Sequence, residues 1–486
     1  VEKAIVAGHS HLRLPAEEPA DFAGKTLRVA NIARIAGAAG LLIALVIGFF
    51  AGNAFKTFYF AYLAALGFFM AMALGALFFV LVQHVSRAGW SVNVRRVAEN
   101  MAAMLPILGL LSLPIFVSVL IQKGDLYRWA LPYETPAAEA HEHAAHAAKG
   151  EGMPPSAAKP EEGLASIAGN QQISPQGSWK TDEEFKHEVD PGHGNRHLDE
   201  RLIEKRVWLN PFFFCIRIAA YFLIWSVIAR YYLRQSTLQD ADGDYRHTAA
   251  MQKYSGVCLV VFGITLTLAA WDMFMALDGH WYSTMFGVYY FAGGVVSFFA
   301  ACTIIIALLQ RIGFLKEAVN VEHYHDLGKF MFAFTFFWGY VTFSQYMLLW
   351  YSSIPEEVTW FSRRGANTGH EVPVYGDEWT KWALLVLFGT LLIPFAGLLS
   401  RHMKRNLKPL LFWSVWVLVF QFVNVIWIVL PEMREGFRFG PILLSMIAWV
   451  GIGGVLTAAW LKLAARSKLR PVNDPRAFES AAFVNI

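Results

Sequence analysis

The stretch Thr57-Phe-Tyr-Phe-Ala-Tyr-Leu-Ala-Ala-Leu-Gly-Phe-Phe-Met-Ala-Met-Ala-Leu-Gly-Ala-Leu-Phe-Phe-Val-Leu-Val-Gln83 contains no Asp, Glu, Lys or Arg. An uncharged apolar run of about 18 residues or more can cross a hydrocarbon core roughly 30 Å thick. A helix is the favoured form of such a run, because it satisfies every backbone hydrogen bond internally. Similar runs recur along the chain and place spans at about Val29–Phe50, Thr57–Gln83, Met101–Ile121, Phe212–Leu233 and Tyr254–Leu277. Five more follow at about Met285–Leu309, Leu327–Tyr351, Trp379–Leu399, Pro409–Leu430 and Gly440–Leu463. The fold class is therefore an all-α integral membrane protein of about ten transmembrane helices.

Composition agrees. Of 486 residues, 56% are hydrophobic and only 16% charged, where a soluble protein carries about a quarter. The alternating pattern of a membrane β-barrel is absent. The formal charge of +4 is too small to point to a nucleic acid partner. Cys215, Cys258 and Cys302 lie far apart within apolar runs and read as small buried hydrophobes, with no redox or cluster-binding spacing. The first apolar run lacks a small-residue cleavage site, so no cleavable signal peptide is expected.

Alternate connections differ in positive charge. One side holds Lys25, Arg28, Arg87, Arg95, Arg96, Arg230, Arg234, Arg246, Arg311, Lys316, Lys329, Arg401, Lys404, Arg405, Arg466 and Lys468. The positive-inside rule then puts both termini in the cytoplasm, as expected for the inner membrane of a bacterium. The resulting organisation is a cytoplasmic segment 1–28, three spans within 29–121, a long extracytoplasmic loop 122–206, seven spans within 207–465 and a cytoplasmic tail 466–486. Trp208, Trp281, Trp350, Trp360 and Trp379 suit an interfacial aromatic belt. The loop's Ala/Glu/His/Pro/Gly-rich first half, 134–169, reads as extended and solvated. His141, His143 and His146 lie within it with nothing beside them to enforce a metal geometry.

A membrane haem needs facing His ligands well inside the bilayer, and here His84 and His402 fall at span ends and the other histidines in loops or at boundaries. No haem, iron–sulfur centre or other metal is expected in this chain. Polar chemistry instead concentrates in two stretches. In Trp271-Asp-Met-Phe-Met-Ala-Leu-Asp-Gly-His-Trp-Tyr-Ser283, Asp272 is an intramembrane carboxylate, a functional candidate by its cost alone. Asp278 and His280 sit in the turn beyond it, where Asp278 would organise the Gly279 turn and Ser283 would cap the sixth span. In Glu322-His-Tyr-His-Asp-Leu-Gly-Lys329, Asp326 and Lys329 stand one helical turn apart, Asp326 fits a helix cap as well as a proton-entry role, and histidines such as His323 and His325 ordinarily titrate near neutrality. A third stretch, Gln83–Arg96, reads as an interfacial basic segment whose arginines follow from orientation alone.

These stretches also carry a resemblance. Gln83–Arg96, Trp208-Leu-Asn-Pro-Phe-Phe-Phe214, Leu277–Tyr289, His325-Asp-Leu-Gly-Lys329 and Phe343–Glu357 resemble the ActF-type membrane subunit of bacterial alternative complex III, a quinol:cytochrome c (or other acceptor) oxidoreductase. The resemblance implies an NrfD-like (polysulfide-reductase-like) fold of two four-helix bundles plus two helices. It implies partners as well: a multihaem cytochrome c subunit, an iron–sulfur subunit, a sister NrfD-like subunit, small membrane subunits and membrane lipid. Haem c and iron–sulfur clusters would belong to those partners, and quinol oxidation mainly to the sister subunit. A proton-conducting role carries over to Asp272, Asp278, His280, His323, His325, Asp326 and Lys329 as candidates. Protons would enter by His323, His325 and Asp326, and leave by Asp272, Asp278 and His280. No catalytic residue is assigned to this chain.

Two other readings remain open on sequence. A quinone-binding anchor of a molybdenum-type reductase would line its pocket with Trp271, His280 and Tyr282. A secondary transporter would need paired broken helices at the midplane. Pro106, Pro114 and Pro394 interrupt two spans, but no central charged pair accompanies them.

Overall fold

The structure, a computed structural model, describes residues 21–50, 55–121, 126–130, 205–352, 354–365 and 377–484. The loop histidines His141, His143 and His146 lie outside them. The chain divides into one unit of Val1–Ala130 with Trp208–Ile486 and a second of Leu131–Val207. Of the second, only the 3-10 turn Lys205–Val207 is described.

The first unit opens with α1 (Phe22–Phe50) and α2 (Lys56–Val85). A broken helix follows as α3 (Val92–Ala102), α4 (Leu105–Leu111) and α5 (Leu113–Leu120), with Pro106 and Pro114 in the first turns of the last two segments. Proline is tolerated there because those N–H groups have no helical partner. Then come α6 (Pro211–Asp242), α7 (Tyr245–Met273), α8 (Phe286–Arg311), α9 (Val321–Ser352) and the short α10 (Pro355–Arg363). The chain ends with α11 (Asp377–Val386), a π-helical turn Leu387–Leu392, α12 (Ile393–Leu399), α13 (Arg401–Arg405), α14 (Leu407–Val429), α15 (Phe439–Ala464) and α16 (Ala477–Ala481). Among the described residues there is no strand, and nine helices are long and apolar enough to cross a membrane. The chain is an all-α, multi-pass membrane protein.

The span expected at Leu327–Tyr351 lies in α9, a helix of 32 residues, or about 48 Å at 1.5 Å per residue. It is not one of the nine, because Thr335, Trp338, Tyr340, Thr342, Ser344, Gln345 and Tyr346 dilute its hydropathy.

The core is built around α2 and α8, each with 83% of its span buried. They meet where a Cβ on Gly75 would lie 2.5 Å from the Gly294 carbonyl oxygen, so only glycine fits this crossing. Helices α3, α6 and α7 pack on one side of the pair, and α9 and α14 on the other. Helix α1 lies along α15 through the facing glycines Gly40 and Gly451, and elsewhere presents Leu27, Ile32, Ile35, Leu42 and Phe49 outward. A hydrocarbon surround makes such a face favourable.

Local chemistry sets the helix ends. The Asn210 side chain accepts from the N–H groups of Phe212 and Phe213, and Pro211 opens α6. Gly243 ends α6 at φ 70°, and Asp244 caps α7. Helix α8 starts at Phe286 with no side-chain cap, so the cap expected from Ser283 is not made. Helix α9 is capped by Asn320, whose Oδ1 accepts from Glu322 and His323, and this leaves Asp326 in the second turn. Pro394 explains the π turn. Ile393 N–H bonds the Phe388 carbonyl, and the Gly389 carbonyl, whose π partner would be the N–H that proline lacks, instead accepts from the Trp416 indole at 2.9 Å.

The segment after α15 is docked across the helix ends. Val472 N–H donates to Asp240, Asp474 pairs with Arg95 at 2.5 Å, Ser480 donates to the Trp90 carbonyl and Asn320 donates to the Phe483 carbonyl. This corrects the reading of Gln83–Arg96 as an interfacial basic segment. Arg95 and Arg96 are 3% and 0% exposed, and they pair with Glu99, Asp240 and Asp474. Orientation alone leaves arginines in water, whereas these have desolvated carboxylate partners on three other segments or turns.

Candidate functional site

The sequence-derived candidates fall into three places. Asp272, near the end of α7, is 1% exposed. Arg217 of α6 meets it with Nε on Oδ2 and Nη2 on Oδ1, both at 2.9 Å. Tyr221 donates to Oδ2 at 3.0 Å and the Trp208 indole to Oδ1 at 2.9 Å. Arg217 also donates to the Trp208 carbonyl, and its guanidinium lies 4.2 Å from the Trp208 ring. The Asp272 carboxylate is thus filled by donors from one guanidinium, one phenol and one indole. It ties α6 to α7.

Asp278 belongs to a second cluster. Its Oδ1 accepts from His280 N–H, the turn-organising role expected for it, and the His280 ring lies 3.7 Å away. Arg363 donates to its Oδ2, and Arg434 approaches Oδ1 at 3.9 Å. Arg363 also pairs with Glu432 at 3.0 Å, and Arg364 with the same carboxylate at 2.8 Å. Burial would raise the Asp278 pKa, but Arg363, the His280 hydrogen bond and Arg434 hold it well below the usual carboxylate range. Burial lowers Arg364 to about 10 against the pull of Glu432. Trp281 and Trp360, expected in an exposed aromatic belt, are instead buried and stacked at 4.4 Å. Arg364 lies 3.5 Å from the Trp360 ring. Trp379 is buried too, while Trp208 and Trp350 remain partly exposed.

At the opposite end of α9 lies the third cluster. Asp326 and Lys329 pair at 2.5 Å, the one-turn contact expected from their spacing, and Glu322 takes Arg405 through both oxygens. Lys404 is 7% exposed and donates to the carbonyls of Leu398 and Leu399. The His325 ring is buried with no partner on Nδ1, and burial, then Lys329, lower its pKa. His323 stands apart, between α9 and the docked tail. Ser480 spends its hydroxyl hydrogen on the Trp90 carbonyl, so His323 Nε2–H donates to Ser480 Oγ, and Nδ1 accepts from the Asn320 N–H at 3.2 Å.

Burial lowers the His323 pKa to about 4. Between this value and 6.5, the unfolded chain binds a proton that the folded chain does not. The stability His323 provides is therefore complete above pH 6.5 and is lost as pH falls toward 4, to the extent of roughly 3 kcal/mol. Thermal melting in detergent should show the purified protein destabilised between pH 7 and pH 4.5, with a smaller loss in His323→Gln. Equal acid sensitivity in the two proteins would remove His323 as the cause.

The Asp278 and Asp326 clusters lie at opposite ends of the core, and buried polar groups stand between them. Tyr289 of α8 donates to Asn424 Oδ1 at 2.5 Å, and Asn424 Nδ2 reaches Gln421 Oε1 at 3.4 Å. With Gly293, Ser297 and Tyr290 these residues line a cavity of about 10 Å³, close to the space one water needs. Further along the buried faces of α14 and α9 are Ser414 and Thr335, which bond carbonyls of their own helices.

No model of a known protein family matches the chain, and no curated protein matches it.

Asp278 with His280, and Asp326 with Lys329, are brought together as pairs, while Asp272 is held separately by Arg217. Tyr282 is 58% exposed, and neither cavity described in this protein is lined by Trp271, His280 or Tyr282. Among the described residues no group of three or more His, Cys, Asp or Glu is arranged to hold a metal ion. Sequence reasoning missed Arg217, Arg363, Arg364, Glu432, Tyr289, Asn424 and Gln421. Arg217 was legible, since it lies inside an apolar run as Asp272 does. So were Gln421 and Asn424, at positions i and i+3 of the ninth apolar run.

Proposed function

We propose that this chain is a non-haem membrane subunit of a quinol-oxidising respiratory complex of the alternative complex III type. In this reading it has ten spans, α9 included, in the NrfD-like arrangement, with both termini in the cytoplasm. It scaffolds the complex and conducts protons. Haem c and iron–sulfur clusters belong to partner subunits: a multihaem cytochrome, an iron–sulfur protein and a sister NrfD-like chain. The motifs from Gln83 to Glu357 support the family reading.

The observation that carries the proton path is the buried Tyr289–Asn424–Gln421 series between two ionisable clusters. A phenol hydroxyl and the water that a cavity of this size can hold relay protons, and the Asn424 and Gln421 amides orient them by hydrogen bonding. In this proposal, protons enter at Asp326, Lys329 and His325, cross by way of Tyr289 and cavity water held by Gln421 and Asn424, and leave at Asp278 and His280. His323, bound to the tail, and Asp272, bound to Arg217, serve structure.

The test is the tagged complex purified from its own membrane. Haem, iron and quinol oxidation are expected to copurify with the chain. Asn424→Leu should then keep quinol turnover and the two protons each quinol gives up, while abolishing the further protons carried across the vesicle membrane. A clean homo-oligomer without haem overturns the family reading. Unchanged proton release in Asn424→Leu overturns the path.

A further inference from the structure

A second cavity, of about 460 Å³, opens between α1, α2, α4, α8 and α15, well away from the polar series. Its size falls within the ~300–1,000 Å³ of small-molecule sites. The wall is apolar and rich in methionine, with Met72, Met101, Met104 and Leu456. Unbranched thioethers adapt to a flexible guest better than a rigid aliphatic wall does. No carboxylate is among the described residues that line it.

Two cations stand at its rim. Lys25 comes from the start of α1 and Arg311 from the end of α8, and both side chains are exposed. Lys25 lies 5.2 Å from the Phe314 ring and 3.3 Å from the Ile312 carbonyl, beside Arg311. Neither cation has a carboxylate partner among the described residues. On the same wall, Trp460 is 7% exposed and its buried Nε1–H meets no acceptor in the protein. A buried donor of this kind calls for an acceptor on the guest.

We infer that this cavity is a binding site for one anionic phospholipid. An acyl chain occupies the methionine-lined interior, and the phosphate sits on Lys25 and Arg311. Charge complementarity selects this guest over a quinone. A quinone head is neutral and has no use for two adjacent cations, whereas basic pockets between membrane helices suit anionic lipid heads. The positive-inside bias places this mouth at the cytoplasmic leaflet, where anionic lipid is available. The inference requires only that the chain spans a membrane, so it stands or falls apart from the quinol-complex reading.

The purified full chain, in whatever complex it forms, would be delipidated in detergent and exposed to phosphatidylglycerol or phosphatidylcholine. Bound lipid would then be counted by native mass spectrometry. The native protein is expected to keep one phosphatidylglycerol and to release phosphatidylcholine. Lys25→Gln/Arg311→Gln should lower that retention about tenfold or more. Leu308→Trp, at an exposed position on the rim, should abolish it by filling the mouth. Undiminished retention in either variant, equal retention of phosphatidylcholine, or a quinone held in place of lipid overturns the inference.

Discussion

Arg217→Met is expected to destabilise the protein by about 3–5 kcal/mol, the usual result of leaving one partner of a buried ion pair alone. The Asp272 carboxylate would keep the Tyr221 and Trp208 hydrogen bonds but lose its only cation within salt-bridge distance among the described residues. It cannot turn to water, being 1% exposed. The double change Arg217→Met/Asp272→Leu should recover most of the loss, because it removes both desolvated charges together. Melting of the purified protein, read across the four-member double-mutant cycle, measures the coupling directly. A single mutant that melts with the native protein would show that the pair does not tie α6 to α7.

Glu432→Gln is expected to have an effect of similar size, about 3–5 kcal/mol, for the opposite reason. Glu432 lies against Arg363 and Arg364, and Asp278 against Arg363 with Arg434 at 3.9 Å. Neutralising Glu432 removes the carboxylate that Arg363 and Arg364 share within a buried volume. The links from the turn after α7 to α10 and to the end of α14 should loosen together. Thermal melting reads the stability, and protease cleavage near Arg363 reads the local opening. A Glu432→Gln protein as stable and as protease-resistant as the native one would remove the cluster's structural role.

The membrane class was legible because it rests on a property of single segments. An uncharged run such as Thr57–Gln83 must find hydrocarbon or a core wherever it lies. Helix ends were partly legible for the same reason. Asn210-Pro211 and Asp242-Gly243-Asp244 act within a few residues, so their chemistry sits in the sequence itself. Ser283 shows the limit, since a residue of suitable type caps a helix only if the turn delivers it there. The candidate site was half legible. Asp272, Asp278 and Asp326 stood out as costly charges, but their partners came from elsewhere. Arg363 is separated from Asp278 by two whole helices, α8 and α9, and the Glu322 partner Arg405 lies beyond α10, α11, the π turn and α12.

The sequence by itself determined that the chain is helical, that it lies in a membrane and which residues are too polar to lie there free of charge-balancing contacts. Those are sums over neighbours along the chain: hydropathy, cap chemistry and one-turn pairs such as Asp326–Lys329. Only the tertiary structure decided who neutralises whom. It put Arg217 on Asp272, Arg363 and Arg364 on Glu432, and the tail's Asp474 on Arg95. It also brought Tyr289, Asn424 and Gln421 together between the two ionisable ends. A run such as Thr57–Gln83 states that a helix will cross, because transfer free energy is additive along it. Which face it turns inward depends on contacts such as Gly75 against Gly294, and those exist only once the helices have packed.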